Sequence, residues 1–320
     1  MTERSGRRAG YTAAAAGVTA ATVARCAYEA LTRRPPGGAK TWSRTNHRGE
    51  PVTLLEGPAV AAGAVVGVLA QAAVRAMSGS TRRGPRSRVE VAMVLGAVGA
   101  AVFGAYDDLA GSGARRGFAG HLGALRHGEV TTGAVKLGGI GATGILSAIA
   151  AGGPAADIVI NAGLVAGAAN LLNLFDLRPG RALKVAVAVG APGVISAAAP
   201  LGAALALLRQ DLGERAMLGD AGANALGAML GASAARLPRP ARIALLAGIA
   251  GLTAASEKVS FTKVIERTPA LRRLDMLGRR PVRPAPVISV PAQRRNAARS
   301  PGAGTTARSA ANTDVTPPDE

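Results

Sequence analysis

Residues 89–112 read VEVAMVLGAVGAAVFGAYDDLAGS, an apolar run that ends in two adjacent aspartates, Asp107 and Asp108. A helical membrane crossing needs about 20 mostly apolar residues, and residues 89–106 approach that length. Glycine and alanine dominate the run, and such small residues suit closely packed membrane helices. The stretch therefore predicts a transmembrane helix that brings two carboxylates to one membrane face.

The rest of the chain repeats this pattern between arginine-rich connectors. Of its 320 residues, 48% are hydrophobic but only 2% are aromatic. A soluble core of this size would carry more aromatic side chains, which bury the most area per residue. We therefore predict an all-α fold, a polytopic transmembrane helical bundle of about nine spans. The predicted spans are residues 11–24, 58–77, 89–106, 132–152, 158–174, two within 182–208, 220–235 and 242–255.

The segment at residues 182–208 is interrupted by Pro192 and Pro200. It is long for one crossing and short for two. Two crossings would leave Asp176 and Asp220 on the same membrane face. We therefore predict a short helical hairpin that bends near residues 193–200.

Two further segments follow the last predicted span. Residues 256–279 carry apolar side chains at helical spacing, which predicts an amphipathic helix at the membrane interface. From residue 281 the sequence is rich in Pro, Ala, Arg, Ser and Thr. This composition predicts a disordered tail at residues 281–320, after a membrane domain at residues 1–280.

The formal net charge of +19 raises the question of nucleic-acid binding. The basic residues lie mainly in connectors and in the tail, beside apolar spans, so we interpret them as contacts to anionic membrane lipids and expect no nucleic-acid partner. The positive-inside rule favours a cytoplasmic location for the face that carries the aspartates. Two arginine-bearing loops, at residues 82–88 and 236–242, fall on the other side and count against that orientation.

Three polar motifs are predicted to meet at the cytoplasmic face. They are YDDLAGS, NLLNLFDLRPGRALK and LGDAGANALG, at residues 106–112, 170–184 and 218–227. In the second motif Asn170 and Asn173 are one helical turn apart, so they share a helix face. Clustered Asp and Asn oxygens suit Mg²⁺, which keeps water and substrate phosphates as its other ligands.

Each of these polar residues also has a structural interpretation when it is taken alone. Asp220 opens a helix and could be an N-cap, and Asn170 or Asn173 could join neighbouring helices. Lys136 could extend its ammonium group to the lipid headgroups. Because the alternation of spans brings all of them to one face, we favour a functional site.

The motifs resemble the signature regions of the polyprenyl-phosphate N-acetylhexosamine-1-phosphate transferases. Their order and their separation by spans match the family, and the resemblance covers about residues 49–279. VTTGAVKL at residues 130–137 is similar to the stretch that opens the family's fourth helix with a lysine, here Lys136. The resemblance implies that residues 1–280 are a polytopic membrane transferase-like domain. It also implies a bacterial-type plasma membrane and a cytoplasmic active site.

The activity implied by the resemblance is Mg²⁺-dependent transfer of a sugar 1-phosphate from a UDP-sugar to a polyprenyl phosphate, with release of UMP. Such a reaction belongs to cell-wall or envelope polysaccharide synthesis, of which peptidoglycan is one product. The implied partners are the UDP-sugar, the polyprenyl phosphate and membrane lipids, and a homodimer is the candidate assembly.

The resemblance also implies roles for individual residues. Asp107 or Asp108 would deprotonate or orient the lipid phosphate, and Lys136 would balance phosphate charge. Asp220 and Asp176 would hold Mg²⁺. The residues implied in substrate binding are Asn170, Asn173, Asp176 and Lys258.

Three departures from the family pattern motivate other hypotheses. The sequence LRPG follows NLFD, no histidine follows His127, and the early glycine-rich signature reads VTLLEGP with Glu56. A non-catalytic relative that binds the lipid carrier or scaffolds wall-synthesis enzymes is the alternative function. A small-molecule transporter is a third class, suggested by Pro and Gly within the spans.

Overall fold

Helices make up nearly all of the regular structure in the computed structural model, which describes residues 2–77, 84–111, 123, 127 and 130–281. The predicted all-α class is confirmed. In chain order the helices are α1 Thr2–Arg33, α2 Glu56–Met77, α3 Pro85–Ala110, α4 Thr132–Ala151, α5 Ala155–Phe175, α6 Arg181–Gly190, α7 Val194–Leu212, α8 Gly219–Ser233, α9 Arg239–Ser256, α10 Phe261–Arg267 and α11 Pro269–Met276.

A short antiparallel ribbon, which the sequence did not predict, connects α1 and α2. It consists of β1 Ser43–Thr45 and β2 Pro51–Thr53. Thr53 also bonds to the segment that precedes α8, because its carbonyl accepts the Met217 N–H at 2.9 Å. The ribbon therefore links the start of α2 to the start of α8.

Helix α8 lies at the centre of the bundle, against α2, α3 and α5. Most of its residues are buried. Its glycines allow close contact with α5: a Cβ atom at Gly227 or Gly231 would lie 2.3 Å from a backbone oxygen, of Ala168 or Leu164 respectively. Small residues are the usual means by which membrane helices approach one another. This packing fixes the first turn of α8, which carries Asp220, inside the bundle.

The prediction of about nine spans is not confirmed. Five stretches of the described chain are long and apolar enough to cross a membrane, and one of them, Arg181–Leu212, contains both α6 and α7. The count is six if the bent pair α9 and α10 is one crossing. Helix α8 has only 15 residues, about 22 Å of helix, and is surrounded by protein. Helix α1 also falls outside the five, because arginines flank its alanine-rich run at residues 11–24.

The predicted hairpin within residues 182–208 forms, and its turn lies at the N-terminal edge of the predicted bend at residues 193–200. The Gly180 N–H donates to Asp211 Oδ1 at 3.0 Å, so α7 ends beside the start of α6. The chain reverses at Ala191–Gly193, whereas Pro200 lies inside α7. Helix α6 has 10 residues, about 15 Å, which is too short for a crossing. The hairpin therefore does not supply two full spans.

The amphipathic helix predicted at residues 256–279 is divided into α10 and α11. Thr268 between them is extended, with φ −97° and ψ 109°. Pro269 explains the break, since proline lacks an N–H and disfavours a helical conformation in the preceding residue. Residues 1–280 form one compact unit. The predicted tail lies outside the described residues from 282 onward.

Gly104 brings α3 against the first turn of α8 and provides a test of this packing. A Cβ atom there would lie 2.4 Å from the Asp220 carbonyl oxygen. Gly104→Ala should therefore separate the two helices and lower the free energy of unfolding by about 1–3 kcal/mol. Thermal unfolding in detergent would show this as a lower Tm. Gly141→Ala in α4 is the control, because its added Cβ has no atom within 4 Å. Equal Tm values for the two variants would contradict the packing.

Candidate functional site

Lys136 connects two carboxylates from distant parts of the chain. Its Nζ lies 2.7 Å from Asp107 Oδ2 and 2.6 Å from Asp220 Oδ2. Asp107 lies in the last turn of α3, Lys136 near the start of α4, and Asp220 in the first turn of α8. The three side chains are 15–22% exposed, so the cluster remains accessible from outside the bundle.

Asp108 has a different environment from its neighbour Asp107. Its Oδ1 accepts the Asp220 N–H at 3.1 Å, and its Oδ2 accepts the Ala221 N–H at 2.9 Å. The first N–H groups of a helix lack partners within the helix and attract carboxylates. Arg44 of β1 donates to the Asp108 carbonyl oxygen. Asp108 thus holds α8 against α3, whereas Asp107 contacts Lys136.

Asp176 binds the same helix terminus from α5. Its Oδ2 accepts the Gly219 N–H at 2.8 Å. Gly219 has φ +63°, a conformation that favours glycine. Burial, and then the nearby charge of Asp211, raise the pKa of the Asp176 carboxyl. The three polar motifs therefore come together at the N-terminus of α8, where two aspartates bind three consecutive N–H groups.

Asn170 and Asn173 line a cavity of about 550 Å³ together with Lys136. The cavity lies between α4, α5 and α9, and its size is within the usual range for ligand pockets. Lys136 connects this cavity to the two carboxylates that it contacts. Lys258 is exposed at the turn after α9 and is outside the cavity wall, although its neighbour Glu257 is part of that wall.

The fit of the site to Mg²⁺ rests on Asp107 and Asp220. The described ranges contain no group of three or more His, Cys, Asp or Glu residues that could hold a metal ion. In the predicted pair, Asp176 contacts the Gly219 backbone, whereas Asp220 contacts Lys136. The Asp107 and Asp220 oxygens instead both contact the Lys136 ammonium, which occupies the position between them. Mg²⁺ is commonly bound by one or two carboxylates plus water and substrate phosphates, so Asp107 and Asp220 are ligands of the right type for the ion only where Lys136 is displaced from between them.

Buried polar groups that were not predicted as site residues lie near the same helix terminus. Glu56 is fully buried, and neither of its carboxyl oxygens has a hydrogen-bond partner in the described part of the chain. Asp211 Oδ2 and Asn224 Nδ2 are also buried without such a partner there. Glu56 and Asp211 lie next to apolar runs, which is the signal that identified Asp107 and Asp108.

The fold and the site together define an all-α bundle with apolar helices long enough to cross a membrane and a lysine-bridged carboxylate cluster at one end. No protein-family model matches the chain, and no curated protein matches it.

Proposed function

We propose that the protein is a Mg²⁺-dependent membrane phosphotransferase that moves a sugar 1-phosphate from a UDP-sugar to a polyprenyl phosphate. The observation that carries the proposal is the convergence of Asp107 and Asp220 on the Lys136 ammonium beside the cavity at Asn170 and Asn173. Phosphoryl transfer depends mainly on positioning and charge neutralisation, which these groups provide. The motif resemblance supplies the substrate class and the cytoplasmic orientation.

In the proposed reaction, an oxygen of the polyprenyl phosphate attacks the phosphorus that carries the sugar. The bond from that phosphorus to the UMP oxygen breaks, and UMP leaves. Asp107 is the carboxylate available to orient or deprotonate the attacking phosphate, because backbone N–H groups occupy both oxygens of Asp108. Lys136 neutralises phosphate charge, and Asn170 and Asn173 hold the sugar nucleotide by amide hydrogen bonds.

Asp220 would hold Mg²⁺ together with water and diphosphate oxygens. The bound ion would polarise the reacting phosphoryl oxygens and stabilise the leaving UMP. The proposed assembly is a homodimer in a bacterial-type plasma membrane, with the reaction in cell-wall or envelope polysaccharide synthesis.

A direct assay tests the proposal. Purified protein in detergent, with Mg²⁺ and polyprenyl phosphate, should release UMP from at least one member of a UDP-sugar panel, and EDTA should stop the release. Asp220→Asn should lower the rate about 100-fold or more, since metal sites are sensitive to such changes. Glu29→Gln is the control, because Glu29 is an exposed carboxylate of α1. Absence of UMP release with every substrate, or a wild-type rate in Asp220→Asn, would rule out the mechanism.

A non-catalytic protein that binds the lipid carrier or scaffolds wall-synthesis enzymes is the second candidate. The observation that favours it is the Lys136 ammonium, which already pairs with both Asp107 and Asp220. This candidate predicts binding of polyprenyl phosphate without UMP release. Robust Mg²⁺-dependent turnover would exclude it.

A further inference from the structure

Four arginines line a cavity of about 810 Å³ at the end of the bundle opposite Asp107. The two ends are separated by the length of α3, which has 26 residues, about 39 Å of helix. The arginines come from the last turn of α2, the first turn of α3, the segment after α8 and the first turn of α9. They are Arg75, Arg86, Arg236 and Arg242.

Carboxylates balance only part of this positive charge. Arg75 pairs with Glu90. Asp157 Oδ1 lies 2.7 Å from Arg239 Nε and 3.3 Å from Arg242 Nη2, so two arginines share one carboxylate. The remaining two arginines of the cavity have no carboxylate partner in the described part of the chain. The cavity wall therefore carries excess positive charge.

Arg86 and Arg236 are the two arginines without a carboxylate partner, and they lie close together. Arg236 Nη1 donates to Ser196 Oγ at 2.8 Å, and its Nη2 contacts the Arg86 carbonyl oxygen at 3.4 Å. Burial, and then the Arg86 charge, lower the pKa of Arg236. An anion between the two guanidinium groups would offset both effects.

An apolar groove begins at the same arginines. It lies between α2 and α3, has a volume of about 810 Å³, and shares Arg75 and Arg86 with the cavity. Leu69 and Val91 in its wall are each 52% exposed on helices long enough to cross a membrane. Apolar surface suited to a hydrocarbon chain is therefore continuous with a cluster of guanidinium groups.

We propose that the cavity and the groove form a second ligand site, which binds a membrane lipid with an anionic phosphate headgroup. The phosphate lies between Arg86 and Arg236, with Ser196 as a neutral partner, and one chain lies in the groove between α2 and α3. Guanidinium groups bind phosphate through paired, charge-assisted hydrogen bonds. A free phosphate-bearing solute shares this headgroup chemistry but would leave the groove unused.

This site also gives a reason for the two loops that oppose the positive-inside rule. Arg86 and Arg236 belong to the arginine-bearing segments at residues 82–88 and 236–242. Because Arg86 and Arg236 bind a lipid phosphate in this site, their charge does not indicate that this face of the bundle is cytoplasmic.

Native mass spectrometry of the delipidated full-length protein tests the site, with phosphatidylglycerol as the probe. One phosphatidylglycerol should bind, and phosphatidylcholine at the same concentration should not replace it. Arg86→Gln and Arg236→Gln should each weaken binding about fivefold, the scale of one basic residue at an anionic membrane surface. Arg88→Gln is the control, because it removes the same charge from α3 at a residue outside the cavity wall, and its binding should match wild type.

A second arm separates a lipid from a free anion. Ala72→Phe fills the groove and leaves the arginines in place, so it should weaken phosphatidylglycerol binding and leave inorganic phosphate binding unchanged. The lipid proposal is wrong if inorganic phosphate displaces the lipid at equal concentration or if Ala72→Phe has no effect. It is also wrong if phosphatidylcholine binds equally well, or if Arg88→Gln loses as much binding as Arg86→Gln, because both results indicate non-specific attraction.

Discussion

Asp107→Asn should lower UMP release by about 10²–10⁴-fold, the range for loss of a positioned acid or base. The asparagine keeps the size of the side chain but can neither take a proton nor carry charge beside Lys136, which lies 2.7 Å from Asp107 Oδ2. The Tm should change little, because partly exposed ion pairs contribute only about 1 kcal/mol or less. UMP release and thermal unfolding, measured on the same detergent preparation, would test both statements.

Asp108→Asn is the matched comparison, since it changes the adjacent residue in the same way. Both Asp108 oxygens accept N–H groups of α8. The amide NH₂ of asparagine would face one of these donors, and an unpaired buried donor costs about 1–3 kcal/mol. The Tm should therefore fall further than in Asp107→Asn. If Asp107→Asn instead lowers the Tm and keeps UMP release, the two aspartates have the reverse roles.

Asp275→Ala should release α10 and α11 from the rest of the bundle. Asp275 Oδ1 accepts from Arg181 Nε at 2.7 Å, and Oδ2 accepts from Arg181 Nη2 at 3.1 Å and from Arg279 Nη1 at 2.8 Å. These side chains are at most 7% exposed. Removing one partner of a buried ion pair costs about 3–5 kcal/mol, because the other charge stays buried.

Hydrogen exchange would measure this release as faster exchange at residues 261–276. Glu266→Ala is the control within α10, because Glu266 is 55% exposed and lies 3.8 Å from Arg178. Its exchange should match wild type. Slow exchange in Asp275→Ala would show that apolar contacts alone hold α10 and α11 in position.

The same ion pair predicts a pH dependence. Burial acts to raise the pKa of Asp275, but the Arg181 hydrogen bond and charge outweigh it and hold the pKa below 3.8. A carboxyl group with a lowered pKa in the folded state stabilises the fold above its unfolded pKa, and this contribution is lost as the pH falls through the folded pKa. The protection of residues 261–276 from hydrogen exchange, measured relative to the intrinsic exchange rate at each pH, should therefore stay constant near neutral pH. This protection should fall only below about pH 4. A loss of protection near pH 6 would contradict this assignment.

The meeting of the three motifs was the most predictable part of the site. Each aspartate motif follows or precedes an apolar run, and helix length then determines which end of the bundle it occupies. The sequence did not indicate which of Asp107 and Asp108 contacts Lys136. Consecutive helical residues point about 100° apart, so their roles depend on where α8 packs against α3.

The number of spans was less predictable, because apolarity does not distinguish a helix facing lipid from one surrounded by protein. Helix α8 has the composition of a span, yet it is short and buried on nearly all sides. The burial of Glu56 and Asp211 was not predicted, for a related reason. Each is an ordinary charged residue at a helix end in the sequence, and only the packing of α2, α7 and α8 buries it.

The ribbon between α1 and α2 has a consequence for the order in which the protein is assembled. Thr53 is made long before Met217, whose N–H its carbonyl accepts. The Asp108 carboxylate likewise accepts N–H groups of α8, which are made much later than Asp108. A nascent chain that ends before Met217 therefore contains most of the helices but has neither contact. Because such distant contacts form only when both segments are present, the carboxylate cluster is completed only after the first turn of α8 has been made.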